Sequence, residues 1–329
     1  MVWFLKNRAY AIGVDIGDDS LKLAQLANNG KGVSLIAGRS ERRPESVKPG
    51  SAAWQRWAVE AIREATANRI FCGKSVIAAI PASDVFIDHI KVGTPFNSKR
   101  QNNPPQADLS KMDDDKLSRT AFSKIRQKLP FEPDDAMIKY IPVEGDNVLV
   151  MATERRIIDR HLAIYEKAGL AIKSIGAWPM ALANCYTRFF GKRKFDLEAI
   201  VMLLDIEANC TNLIICRHKH PLFACSIPIG AKQLHDERIV TSLVLELTAC
   251  RRRFVSIHPN AQIQRLIFLS GPAVDANIYT AIAKQMEIQA QVGDCLAAVE
   301  IPNPYRAGID RRNSDKKVNW ATAFGLSLS

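Results

Sequence analysis

Asp15, Gly17, Ser20 and Lys22 set a carboxylate, a residue without a side chain, a hydroxyl and an ammonium along one short stretch, YAIGVDIGDDSLKLAQL from Tyr10 to Leu26. Ala11, Ile12 and Val14 precede the aspartate, and Leu21 and Leu23 follow on one face at period two, so the stretch reads as strand, acidic turn, strand. Gly17 lets the turn take a positive φ and lets a ligand approach the backbone. Backbone N–H groups and a lysine meeting an anion, with a carboxylate beside them, can hold a phosphate chain and its metal ion. The plain alternative is an ordinary acidic hairpin.

The same arrangement returns later. AIVMLLD, 199–205, is a buried-strand run that ends on Asp205; a short turn leads to a second strand from Thr211 to Cys216 and a third from Pro221 to Ile227. Asp15 and Asp205 thus hold equivalent places in two similar strand-turn-strand units, which points to a duplicated, two-lobed α/β architecture. A further strand, QRLIFL at 264–269, runs into Ser270, Gly271 and Pro272.

The elements that must position these groups follow from periodicity. A third strand is expected at 33–39, an amphipathic helix at 54–68 and a buried strand at 75–80. From Asp84 the rhythm changes to strand, long polar loop (93–115), basic helix (117–129), two strands around Glu144-Gly-Asp, a helix at 154–168 and a strand at 170–175. That order reads as a small self-contained α+β module. Helices are expected at 179–190, within 230–254, at 274–286 and at 319–328, and a last strand at 288–292. The division is 1–83 with 177–195 and 319–329 as the first lobe, 84–176 as an inserted module, and 196–318 as the second lobe with a helical part at about 230–262.

A chain of 329 residues with 47% hydrophobic residues is long enough for a large core and is not a disordered type. No apolar run reaches the length of a membrane span, and MVWFLKNR is too short for a signal peptide. Seven scattered cysteines without a CxxC pair fit reduced thiols in a cytoplasm. The net charge of +11 is densest at Arg251-Arg252-Arg253 and between Arg306 and Lys317, without the aromatic interleaving of a nucleic-acid platform. No nucleic-acid partner is expected. Trp3 and Phe4 beside Lys6 and Arg8 could sit at a membrane interface.

Asp15-Ile-Gly-Asp-Asp-Ser-Leu-Lys22 resembles the first phosphate motif of the actin-like ATPase superfamily, Asp205-Ile-Glu-Ala-Asn-Cys-Thr211 the second, and Leu269-Ser-Gly271-Pro-Ala the adenosine motif. Within that superfamily the chain is most similar to the PilM family of type IV pilus assembly proteins, on the FtsA-like branch. The likeness rests on Phe4-x-Lys6 ahead of Ile12-Gly-Val-Asp-Ile-Gly17, Leu129-Pro-Phe131, Glu166-Lys-Ala-Gly-Leu170, Ile227-Pro-Ile-Gly230 and Ala323-x-Gly-Leu-Ser-Leu328. It implies a two-lobed actin-like, ribonuclease H-like ATPase fold with an FtsA-type α+β subdomain in place of an actin subdomain.

The resemblance also implies roles. Asp15 and Asp205 would face each other across a cleft and hold Mg²⁺ through water. Lys22 would meet the β and γ phosphates of ATP, while Ser20 and Thr211 would donate hydrogen bonds. Glu246 would contact the nucleoside and Gly271 would lie under the adenine. Gly17, Asp18, Asp19 and Ser270 fall inside the same motifs, Asn212 directly follows the second, and all five belong to the nucleotide-contacting set. The implied partner is the N-terminal cytoplasmic peptide of a PilN-like inner-membrane protein, with pilus motor or platform proteins and an anionic membrane surface beside it. The implied place is the cytoplasmic side of the inner membrane.

Three residues depart from the motifs. Asp18 stands where Ser or Thr is usual, Glu207 where the second motif has glycine, and Pro272 where the adenosine motif has its second glycine. A carboxylate about 4 Å from a phosphate costs on the order of 1–4 kcal/mol. Proline removes an N–H. All three weaken the same ligand, so the expectation is a scaffold with a weakened nucleotide site. The competing readings are an active ATPase or small-molecule kinase of this fold and, behind it, an FtsA-like filament former.

Overall fold

The computed structural model describes residues 8–30, 32–92, 114–303, 307–309 and 317–329. Of the loop expected at 93–115, residues 93–113 lie outside the described residues, as do most of the basic tail and the Trp3–Phe4 pair, and the last two residues of that loop already belong to a helix.

Two five-stranded sheets carry the molecule, and they have the same plan. The first takes β1 (Arg8–Ile16), β2 (Ser20–Asn28), β3 (Val33–Arg42), β4 (Ser75–Ile80) and β8 (Ala171–Ala177) in the order β3-β2-β1-β4-β8. The second takes β9 (Ile200–Ile206), β10 (Thr211–Arg217), β11 (His220–Ile227), β12 (Arg265–Phe268) and β13 (Ala290–Val292) in the order β11-β10-β9-β12-β13. In each, the first three strands form an antiparallel meander and the last two run parallel to the first. The expected duplication is therefore present strand for strand.

Alternation decides what each face does. On β1, Ile12, Val14 and Ile16 bury against α1 (Ala52–Ala67) and α3 (Arg155–Lys167), with Trp54, Ile62, Ile164 and Tyr165 in the same cluster. That turns Gly13 and Asp15 to the opposite face. On β9, Met202, Leu204 and Ile206 bury toward α5 (Glu237–Ile257) and α6 (Ala276–Met286). Val201 and Leu203 enter a core shared with Leu26 and Leu35 of the first lobe, with Trp178 and Leu182 of α4 (Trp178–Phe189), and with Phe324 of the terminal helix. Asp205 shares their parity. Both aspartates thus stand on the sheet faces that look toward the interlobe core. Gly13 also admits the terminal helix, because a Cβ there would lie 2.0 Å from the Ala323 carbonyl oxygen.

The module differs from the sequence reading. Its sheet has three strands, β5 (Phe86–Lys91), β6 (Ala136–Pro142) and β7 (Asn147–Glu154), in the order β5-β7-β6. Helix α2 (Asp114–Ile125) covers one face through Leu117, Ala121 and Ile125. The next two elements do not close this module: α3 packs on the first lobe, and β8 pairs in parallel with β4. Residues 155–176 therefore return to the first lobe, because their apolar positions complete its core. The module leans on the second lobe, with His89 stacked on Phe223 of β11 at 4.3 Å and Asp88 accepting from Arg253 of α5 at 2.5 Å. Asp88 also accepts from Lys128 at 2.8 Å.

Two smaller differences concern helices. Residues 230–236 form turns, and α5 begins at Glu237 with Asp236 as its N-cap. Leu245 of this helix is exposed, while Val240, Leu243, Val244 and Leu247 are buried. Among the described residues no helix is long and apolar enough to cross a membrane. The chain closes on α7 (Cys295–Ala298) and α8 (Ala321–Ser327).

Candidate functional site: an ion-paired cleft between two matching hairpins

The two hairpins are built alike. Gly17 N–H donates to the Ser20 carbonyl at 2.9 Å, and Glu207 N–H donates to the Cys210 carbonyl at 2.9 Å. Asp15 pairs across its hairpin with Lys22, and Asp205 with Asn212. Glu207 is therefore the structural counterpart of Gly17, as its place in the motif implied. Gly17 does not take a positive φ, contrary to expectation. The turn residues are Asp18 and Asp19, which close it in the ordinary negative-φ region, and a Cβ at Gly17 would meet only Ser20 O at 3.5 Å. Arg43 holds the turn from outside, its N–H on the Asp19 carbonyl at 2.8 Å and its Nε on that of Asp18.

Asp15 and Asp205 meet in one cleft, joined by a chain of side chains. Lys22 Nζ donates to Asp15 Oδ2 at 3.2 Å and to both Glu207 oxygens at 3.1 Å. Asn319 Nδ2 donates to Glu207 Oε1 at 2.9 Å and to Asp205 Oδ1 at 2.5 Å. Asn212 Nδ2 approaches Asp205 Oδ2 at 3.4 Å. Glu207, from the second lobe, thus reaches across and takes the lysine of the first.

Electrostatics agree with that reading. Burial disfavours the Lys22 charge, but Glu207, Asp15, Asp205 and Asp19 outweigh it and hold its pKa above the normal lysine value. Burial raises the Glu207 carboxyl against the pull of Lys22, with Asp205 and Asp15 adding to the rise. Burial also raises Asp205, against hydrogen bonds from Asn319 and Asn212. One lysine facing three carboxylates is a negative cluster that favours taking up a proton or a cation.

Most other residues of the expected nucleotide set are engaged elsewhere. The Ser20 hydroxyl donates to Asp19 at 3.1 Å, and the Thr211 hydroxyl to the Ile229 carbonyl at 2.7 Å. Ser270 accepts the Ile206 N–H at 2.5 Å, so it ties β9 to the end of β12. Gly271 takes a φ of +55°, which glycine supplies, and its carbonyl accepts from Tyr279 at 2.8 Å. Pro272 follows it inside a single 3-10 turn. Glu246 is exposed on α5 and lines no part of the cleft.

Asp15, Gly17, Asp18, Asp19, Glu207 and Asn212 do line a common cavity, with Pro81, Trp178 and Thr322 among the other walls. Its volume is about 40 Å³. That is room for a few waters, against the roughly 300 Å³ or more of an ordinary ligand pocket. A Mg-nucleotide does not fit these residues as they stand, because the lysine donors are spent and the space is filled. Asn319 was not foreseen: an asparagine far from both motifs in sequence gives no spacing signal.

No family model matches the chain, and no curated protein matches it in sequence. Similarity appears in the fold. The chain is similar to the PilM-PilN type IV pilus biogenesis complex at 18% identity and a TM-score of 0.73, over 97% of this chain and 98% of that one. It is similar to the ethanolamine utilization protein EutJ from Carboxydothermus hydrogenoformans at 12% identity and a TM-score of 0.50, over 97% and 89%. A Bacteroides thetaiotaomicron protein with an actin-like ATPase fold matches at 8% identity and a TM-score of 0.51, over 91% and 96%. The chain therefore has the two-lobed actin-like ATPase fold in a PilM-like form.

Proposed function

We propose that this protein is a cytoplasmic scaffold of a type IV pilus or type II secretion-like assembly platform. It docks the N-terminal cytoplasmic peptide of a PilN-like single-span membrane protein at the inner membrane, and its nucleotide site is degenerate. The observation that carries the reading is the PilM-like fold over 97% of the chain. The Lys22–Glu207 bridge supports the degenerate site, because an internal carboxylate holds the donor that a phosphate would need. The formal charge of +11 suits work beside anionic lipid and acidic partners, such as platform or motor proteins.

The test is a pull-down with the short cytoplasmic N-terminal peptide of the neighbouring membrane protein, with and without Mg-ATP. Binding in both conditions is expected; no binding in either overturns the docking role. Titration calorimetry with Mg-ATP tests the degenerate site, and micromolar affinity would overturn it.

A second reading has one observation in its favour. Asp15, Asp205 and Lys22 meet in one cleft, as an ATPase of this fold requires. Phosphate release that disappears in Asp15→Ala would establish it.

A further inference from the structure

The loop that joins α4 to β9 is pinned at one residue and open on both sides of it. Asp196, 1% exposed, accepts the Arg193 N–H at 2.9 Å, and its own N–H donates to the Arg193 carbonyl at 2.9 Å. Its other carboxylate oxygen accepts from Arg265 of β12. These bonds brace a 3-10 turn over Lys194–Leu197. With Asp196 fastened inward, its neighbours Phe195 and Leu197 stand out, 64% and 45% exposed. Phe195 is the one aromatic among the exposed large hydrophobic side chains of the described residues. A single exposed leucine needs no explanation, but two large apolar side chains held out by one braced turn make an apolar tip.

Cations surround that tip. Lys192, Arg193 and Lys194 lead into it and are all exposed. Among the described residues no ion pair engages them. Arg217 of β10 is in register with Ile200 on one side and His220 on the other, so Lys219 sits at the same end of the second sheet. Glu144 takes the charge of Arg217, and Asp196 that of Arg265. Lys192, Arg193, Lys194 and Lys219 outnumber the exposed acids Glu198 and Glu287.

We propose that this end of the second sheet rests on an anionic lipid bilayer, with Phe195 and Leu197 entering the headgroup boundary and Lys192, Arg193 and Lys194 meeting acidic headgroups. The inference rests on the membrane-side placement proposed above and adds the face that touches lipid. Two features favour lipid over a protein partner. Two apolar side chains are too few for a stable protein interface, which takes about 20–30 residues a side. Lysine is also depleted at such interfaces. A shallow apolar tip among cations is instead the pattern of interfacial anchoring, where apolar burial and attraction to anionic headgroups add.

The test is co-sedimentation of the full chain with vesicles of equal parts phosphatidylglycerol and phosphatidylcholine, and with vesicles of phosphatidylcholine alone. The expected result is binding to the anionic vesicles at least about tenfold tighter than to the neutral ones, and weakened by high salt. Two double variants, Phe195→Ser with Leu197→Ser and Lys192→Gln with Lys194→Gln, should each weaken it by at least about tenfold. Both should keep the parent's melting temperature, because all four side chains are exposed. Both should also still capture the membrane protein's peptide in the pull-down. Equal binding by parent and variants overturns this face as the lipid contact. Equal binding to both vesicle types overturns the role of the cations, and no binding by the parent overturns lipid contact altogether. In each of these cases peptide capture by the parent leaves the docking role standing. Loss of peptide capture in the Phe195 variant overturns the assignment in favour of a protein partner on the tip.

Discussion

Glu207 competes for Lys22 with any anion that enters the cleft, and it does so from within the same chain. An external phosphate must displace a carboxylate that is already held by both oxygens and by Asn319. Removing one negative charge at this range is worth on the order of one to three decades of affinity. Glu207→Ala should therefore bind Mg-ATP at least about tenfold more tightly than the parent, read by calorimetry. Lys22→Ala should do the reverse of a repair. It strands three carboxylates around a buried site, and the melt should lose about 3–5 kcal/mol of stability. Histidine gives the third residue-scale prediction. Burial, with Arg160 adding to it, depresses His161 from 6.5 to about 4, so the folded protein holds it neutral. Its contribution is full above pH 6.5 and falls away as the pH drops toward 4, where the unfolded chain binds the proton first. His161→Phe should flatten that part of the stability curve by about 3 kcal/mol. The sequence made Asp15, Lys22, Asp205 and the displaced Glu207 readable, because motif spacing carries them. It could not show that the hydroxyls of Thr211 and Ser270 turn to backbone partners, since rotamers answer to neighbours far away in the chain.

At the scale of elements, local pattern was a good guide and pairing was not. Alternation in β2, the apolar runs of β1, β9 and β10 and the helical spacing of α1 and α3 located those segments to within about two residues. Which sheet β8 joins depends on α3 carrying the chain back over the first lobe, and no stretch of 170–177 records that. The turn at Gly17 shows the same limit: glycine permits a left-handed conformation, and here a two-residue acidic turn has no use for it. Glycine is needed instead where the last helix crosses β1 and α4. A Cβ on Gly13 would lie 2.0 Å from Ala323 O, and one on Gly325 1.8 Å from Ala181 O. Neither neighbour is a flexible side chain. Gly13→Ala should cost about 3 kcal/mol by forcing α8 off β1. Thermal unfolding measures it, and a loss under about 0.5 kcal/mol, the range of surface changes, would contradict the packing argument.

Across the whole molecule, links that join the lobes besides the shared core include Lys22 with Glu207, Asn319 with Asp205 and Glu207, Ser34 bridged to Glu300, and the module's Asp88 and His89 with Arg253 and Phe223 of the second lobe. Burial, with the Arg253 charge next, lowers His89 to about 3, which keeps its Nε2 free to accept the Ala224 N–H at 3.3 Å. Asp88→Asn should loosen the module without unfolding either sheet. Hydrogen exchange would then rise in β5 and β7 and stay unchanged in β1. The module starts and ends in one half of the protein and rests its weight on the other. A hinge braced in this way cannot swing while the brace is seated, so any molecule that pries the brace loose, or wedges it home, governs how far the halves can part. Mechanical state would then be set from the flank, by whatever grips the insertion.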